Sequence, residues 1–160
     1  MQIIKNFLEK DLFFKLQSCV LSDSFPYYYK DFTGNRQDKS DFYFEHLLYQ
    51  DKQQSSPHFD DLLVPIIGNL KFNYLIRAKV NCYTIKKEFI YTEMHRDYMF
   101  DHKVALFSFN TCNGFTYFED TKEKIESLEN QLIIFDGSRK HCSVAQTDTN
   151  LRVNININLQ

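Results

Sequence analysis

Apolar residues recur along this chain with two different periods. Leu8, Leu12, Phe13, Leu16, Val20 and Leu21 repeat at the spacing of a helix with one buried face, which predicts a helix over Leu8 to Leu21. Ile3 and Ile4 begin a short strand before it, ending at Asn6. Ser22-Asp23-Ser24-Phe25-Pro26 stops the helix, because proline pushes the preceding residue out of helical conformation. A second helix is predicted over Phe59 to Leu70, started by Ser55, Ser56 and Pro57, with Pro65 inside it as a kink or break. Between the helices, Phe42, Phe44, His46 and Leu48 alternate with Tyr43 and Glu45 as a strand. Polar, turn-rich stretches flank that strand on both sides.

From Tyr74 the period becomes two. Ile76, Ala78, Val80 and Cys82 share one face of a strand, and Arg77, Lys79, Asn81 and Tyr83 share the other. A polar stripe of this kind faces solvent on most sheets and lines a pocket inside a barrel; both placements fit the pattern. Further strands are predicted at about Glu88 to Met94, Lys103 to Phe109, Phe115 to Glu119, Lys124 to Leu128, Gln131 to Phe135, Cys142 to Ala145 and Leu151 to Leu159. No helix interleaves with them, which disfavours a parallel sheet. The pattern predicts a mostly-β fold, an antiparallel double-stranded β-helix (jelly roll) backed by two helices. The chain reads as one domain over 1–160, with helical support in 1–70 and the jelly-roll core in 74–159.

Composition narrows the class. At 160 residues, 43% hydrophobic and 25% charged, the chain can bury a core and is not of disordered type. A net charge of −2 argues against a general grip on nucleic acid or an anionic membrane. No apolar run reaches the ~18 residues needed to span a bilayer, and the start lacks a signal-peptide core. The 4 cysteines, Cys19, Cys82, Cys112 and Cys142, are scattered with no CxxC pair, so they suggest neither zinc nor a disulfide framework. A cytoplasmic protein with reduced, mostly buried thiols is the expectation.

The candidate chemistry lies in Glu93-Met94-His95-Arg96-Asp97. On extended chain His95 and Asp97 leave the same face, and His141 can join them from a distant strand. Two imidazoles and one carboxylate so placed form the facial triad that leaves positions open on Fe(II). An HxD triplet alone is common on solvated loops; the closing strand adds weight to this one. There Arg152, Asn154, Asn156 and Asn158 alternate with Val153, Ile155, Ile157 and Leu159. Arg152 follows His141 beyond one turn, so the two can stand on adjacent antiparallel strands, where a guanidinium can clamp a carboxylate.

From about Arg77 to Leu159 the sequence resembles the Fe(II)/2-oxoglutarate-dependent dioxygenases of the prolyl-4-hydroxylase-like branch, including small phage-encoded members. The features carrying this are Ala78 to Tyr83, His95-Arg96-Asp97, Leu106 to Asn110, Asn113-Gly114-Phe115-Thr116-Tyr117-Phe118, Leu132 to Phe135 before His141, and Arg152 with Asn154. Phe25-Pro26-Tyr27-Tyr28 is similar to an aromatic motif of the phage members. Asn113 replaces the first glycine of the usual pair, and asparagine tolerates positive φ better than most residues.

The resemblance implies Fe(II) on His95, Asp97 and His141, with 2-oxoglutarate paired through its distal carboxylate to Arg152 and helped by Tyr83, Thr116 and Asn154. It further implies O2 as oxidant, hydroxylation of a C–H bond, and release of succinate and CO2. A prolyl residue in a peptide or protein is the implied substrate class, with small molecules as the wider one. Candidate substrate contacts are Tyr27, Tyr28, Arg77, Asn81 and Arg96, and selectivity is expected in the loops from Tyr27 to Lys39 and Tyr98 to Lys103. A non-catalytic jelly-roll module and a cupin-type metalloenzyme are the competing readings. His46, His58 and His102 are expected away from the iron, His58 on a solvated helix surface and His102 in a mobile loop.

Overall fold

The two sequence periods become two kinds of layer in the computed structural model, which describes residues 1–31 and 42–160. In chain order the elements begin with β1 (Gln2–Lys5), α1 (Lys10–Val20), β2 (Tyr28–Lys30), β3 (Tyr43–Gln50) and β4 (Gln53–Gln54). A π-helical turn (Phe59–Leu63) then runs into α2 (Val64–Ile67). The strands β5 (Leu75–Thr84), β6 (Lys103–Ser108), β7 (Cys112–Phe118), β8 (Lys124–Ser127), β9 (Gln131–Asp136), β10 (His141–Val144) and β11 (Leu151–Leu159) complete the fold. The large sheet runs β1-β9-β6-β11-β5-β3-β2 with β4 on β3, and a small sheet runs β10-β7-β8; all pairings are antiparallel. This is the jelly roll backed by two helices that the pattern predicts.

The faces of β5 and β11 decide the architecture. Ala78, Val80, Val153, Ile155 and Ile157 pack against Phe13, Leu16 and Val20 of α1 and Leu62, Leu63 and Ile66 of the second helical segment, all fully or nearly fully buried. Each of these side chains larger than alanine contributes roughly 1.5–3 kcal/mol by leaving water, so the apolar stripe chooses the helix side. The polar stripe therefore turns inward, toward the small sheet. There a second cluster of Val104, Phe118, Ile133 and Phe135 closes one end of the space between the sheets.

Asparagines pin the layers. Asn130, at φ 55°, donates to the Leu8 carbonyl and accepts from its amide, both at 2.9 Å, and so docks the start of α1. Asn110 brackets Arg152 on β11: it donates to the Leu151 carbonyl and accepts from the Val153 amide, both at 2.8 Å.

Four expectations change. The helix predicted to reach Leu70 ends at Ile67, and Pro65 stands in the first turn of α2, where its missing amide costs nothing. The strand predicted at Glu88 to Met94 is reduced to two isolated bridges, Tyr91 with Val144 and His95 with His141. Between them three residues, 92–94, face two, 142–143, and the Thr92 hydroxyl accepts the Ser143 amide in place of a ladder carbonyl. His58 is half-buried against Phe25 and His46 rather than solvated. His102 is buried, not in an open loop, and packs under Gly137.

Cys82, Cys112 and Cys142 are buried, Cys19 is half-buried, and all four are unpaired. No helix among the described residues is long and apolar enough to cross a membrane. Much of the loop expected from Tyr27 to Lys39 lies outside the described residues.

Candidate metal centre

The His95–His141 bridge builds the centre. Each residue donates its amide to the other's carbonyl at 3.0 Å, so the two backbones lie side by side and the imidazole centroids are 4.8 Å apart. Asp97 follows two residues later, and the ligand atoms of His95, Asp97 and His141 all lie within 4.8 Å of one another. That spacing suits one shared metal ion.

The imidazoles are set in the tautomer a metal needs. His95 Nδ1 lies 2.9 Å from the Glu93 carbonyl and His141 Nδ1 lies 2.9 Å from the Arg139 carbonyl. A carbonyl only accepts, so each Nδ1 carries the proton and each Nε2 offers a lone pair to the centre. These backbone acceptors were invisible in the sequence, because a carbonyl carries no residue identity.

Asp97 is held anionic. Burial alone would raise its carboxyl, but close contact with His95 and the hydrogen bond from Asn158, with His141 and Arg77 nearby, hold it far below the usual carboxylate range. For His95 burial favours the neutral ring, yet its contacts with Asp97 and the Glu93 carbonyl raise it overall. His141 is lowered, chiefly by burial. Metal binding would displace any proton from Nε2 of these rings and leave each Nδ1–H on its carbonyl.

Arg152 stands at the other end of the same cavity, which is also lined by Tyr83, Thr116 and Ser143. It is not beside His141 on a neighbouring strand: β11 lies in the large sheet and β10 in the small one. The two face each other across the interior instead. Arg152 is 2% exposed; it donates to Ser143 Oγ at 2.8 Å, to the Val144 carbonyl at 3.3 Å and to Thr116 Oγ1 at 3.4 Å. Its guanidinium lies 5.7 Å from the centre of the Tyr83 ring. No carboxylate pairs with it among the described residues, and its Nε is buried without a partner. A buried guanidinium without a counter-ion is costly, and an anionic ligand group would relieve that cost. Gly114 makes room for it: a Cβ there would lie 3.0 Å from Arg152 Cδ. Asn113 beside it is not at positive φ; its side chain instead exchanges hydrogen bonds with Thr147, both at 2.9 Å.

A helix-backed jelly roll of this kind has known counterparts. No protein-family model matches the chain, and no curated protein matches it in sequence. Solved structures do match. A prolyl hydroxylase from Trichoplax adhaerens, in complex with a hypoxia inducible factor oxygen degradation domain peptide, superposes with TM-score 0.62 at 17% identity, covering 99% of this chain and 82% of that one. This is the fold of the prolyl hydroxylase-like 2-oxoglutarate/Fe(II) oxygenases. A 2OG-Fe(II) oxygenase family oxidoreductase from Burkholderia pseudomallei gives 0.64 at 11% identity, over 91% of this chain and 75% of that one. The viral collagen prolyl hydroxylase of Paramecium Bursaria Chlorella virus-1, as its 2OG complex, gives 0.61 at 13%, over 99% and 96%.

On the oxygenase fold the remaining sequence candidates separate. Asn81 and Asn154 line the cavity and are joined by a 3.1 Å hydrogen bond from Asn81 Nδ2 to Asn154 Oδ1. Tyr83 stacks on Tyr43 with centroids 5.5 Å apart. Arg77 sits behind Asp97 at 3.7 Å. Arg96 is exposed on a neighbouring surface hollow with Arg139 and Lys140, its Nε donating to the Ser138 carbonyl. Tyr27 is remote from the cavity and donates to the Val20 carbonyl at 2.9 Å, at the end of α1. Tyr28 is 61% exposed, beside His46. Ser143 and the pair Asn156 and Asn158 are site residues the sequence did not single out.

Proposed function

We propose that this protein is a 2-oxoglutarate- and Fe(II)-dependent oxygenase that hydroxylates an unactivated C–H bond, with a prolyl residue of a peptide or protein as the substrate class. The observation that carries this is one cavity lined both by the two histidines of the His95–Asp97–His141 cluster and by a buried Arg152 that has no acidic partner among the described residues. Iron would be held by the two Nε2 atoms and the Asp97 carboxylate. Bound there with O2 and 2-oxoglutarate, it would supply a C–H oxidant, with succinate and CO2 as the co-substrate's products.

The chain's own groups would orient and desolvate the reactants. Arg152 takes the distal carboxylate of 2-oxoglutarate, with Thr116, Ser143 and Tyr83 around it. Asn81 and Asn154 form the polar wall between the carboxylate end and the metal end. The peptide reading is supported by the Trichoplax and viral counterparts, named respectively for a bound peptide and for collagen. Arg96, exposed next to both metal-bearing segments, is the substrate contact offered here.

The test is anaerobic addition of Fe(II) and 2-oxoglutarate to the purified apoprotein. The expected result is the weak visible absorption of the iron–keto acid chelate, lost in His95→Ala and in His141→Ala. No absorption, together with no thermal stabilisation by metal plus 2-oxoglutarate, would overturn the reading in favour of a non-catalytic jelly-roll module.

A further inference from the structure

The triad leaves a question open: a carboxylate has two oxygens and can take a metal with both, whereas a facial triad needs one. The oxygens of Asp97 have very different surroundings. Oδ2 accepts from Asn158 Nδ2 at 2.6 Å and from Asn156 Nδ2 at 3.1 Å, with Arg77 Nη2 at 3.7 Å behind them. Oδ1 lies 3.6 Å from His95 Nε2, on the side where the ligand atoms converge. A carboxylate oxygen has about two lone-pair directions, and on Oδ2 both are taken by amides.

We propose that Asn156 and Asn158, with Arg77 behind them, are positioning residues that reserve Oδ1 of Asp97 for the metal and keep the carboxylate a one-oxygen ligand. The proposal rests on the oxygenase reading above, since it concerns the same centre. Strand geometry makes the clamp available: 156 and 158 are two apart on β11, so both amides leave its inner face toward one oxygen. The amide orientations follow from their neighbours. A flipped Asn158 or Asn156 would set its carbonyl against a carboxylate oxygen, and Arg77 Nε donates to Asn158 Oδ1 at 3.2 Å, which fixes that amide a second time. Arg77 is itself steadied over the Tyr98 ring at 5.3 Å.

The donors in direct contact are neutral, and the Arg77 cation stands back at 3.7 Å. An amide fixes the carboxylate without pairing off its charge, so Asp97 remains an anionic ligand. Asn158 is fully buried, so water cannot replace its donor if it is lost.

The test uses the full chain and Co(II) as an anaerobic stand-in, with affinity and visible d–d bands read by titration and the metal-free melting temperature measured on the same samples. Asn158→Ala and Asn156→Ala are expected to weaken Co(II) binding by roughly 10- to 100-fold, the usual cost of removing a ligand's hydrogen-bond partner, and to change the band pattern. Asn156→Gln, which keeps an amide donor at a half-buried position, restores affinity and bands toward those of the unmodified protein. Should Asn158→Ala not fold, Asn156→Ala and its Gln counterpart carry the test. A lowered metal-free melting temperature with unchanged Co(II) affinity and bands would overturn the clamp while leaving the oxygenase reading intact. Absence of Co(II) binding by the unmodified protein would overturn both.

Discussion

Arg152 carries a full charge that no acidic residue among the described ones neutralises. Burial lowers its affinity for the proton, but a guanidinium starts so high that it stays charged. Its three hydrogen bonds to neutral acceptors offset part of the desolvation of the charge, so removing the guanidinium loses those bonds and sheds that cost together. Arg152→Met therefore changes the metal-free melting temperature by no more than about 2–4 °C, the equivalent of about 1 kcal/mol in a domain of this size. Under the proposed function the same substitution is expected to abolish stabilisation by 2-oxoglutarate. Thermal melts with and without the keto acid check both halves; a large loss of intrinsic stability would mark Arg152 as a structural residue. At this scale the sequence was most readable where chemistry depends on spacing along the chain. His95 and Asp97 at i and i+2, and Arg152 on an alternating strand, could be placed before any fold was known. The partners of Asp97 could not, because Asn156 and Asn158 lie 59 and 61 residues away and meet it only once the sheet has formed.

Among the elements, the turn between β9 and β10 matters most, since it delivers His141. Gly137 lies in that turn, and a Cβ there would sit 2.0 Å from Nε2 of His102. The Gly137 amide also donates to the His102 carbonyl at 2.9 Å, so the segment after Asp97 and the segment before His141 are latched together. Gly137→Ala is expected to cost about 1–3 kcal/mol by overpacking. Paired with His102→Ala it should cost less than the two changes added, a coupling that a double-mutant cycle in urea measures directly. This latch explains why His102, a loop residue by sequence, is buried: no periodicity announces a contact between two turns. The failed strand at Glu88 to Met94 has a similar origin. Its side chains from Ile90 to Met94 do alternate between covered and exposed, but a one-residue bulge and the Thr92 hydroxyl interrupt its ladder with β10.

For the molecule as a whole, the three-layer arrangement was legible because apolar and polar faces separate so cleanly on β5 and β11. Which layer each polar stripe faced was not, since the stripe alone fits solvent or interior equally; the helices decided it by covering the apolar side. His46 gives this packing a pH dependence. It is buried on β3, with Nδ1 2.7 Å from the Pro26 carbonyl and Nε2 2.6 Å from Ser56 Oγ, and Phe25 and His58 against its ring. Burial lowers its proton affinity more than the Pro26 carbonyl raises it, and His58 lowers it further. The stability this contributes is complete above the unfolded-state value of about 6.5. As pH falls below that, the unfolded chain takes the proton first and stability drops until the folded-state value is reached. Urea midpoints between pH 7.5 and 5.5 should therefore fall less steeply in His46→Gln than in the unmodified protein; equal slopes would remove His46 from the account.

One wall of the centre is continuous sheet, whereas the other is a bulged stretch joined to β10 and the residue after it by four backbone hydrogen bonds, those of Thr92, His95, His141 and Ala145. That second wall supplies both His95 and Asp97. An ion bound there would act as an extra rung, linking the loosely laddered side to the firmly laddered one. Reciprocity then holds between order and occupancy: whatever free energy the ion contributes to settling this stretch, settling the stretch by any other means returns to the ion as affinity. Any contact that settles residues 92–94 would thus tighten the hold on metal without touching the ion.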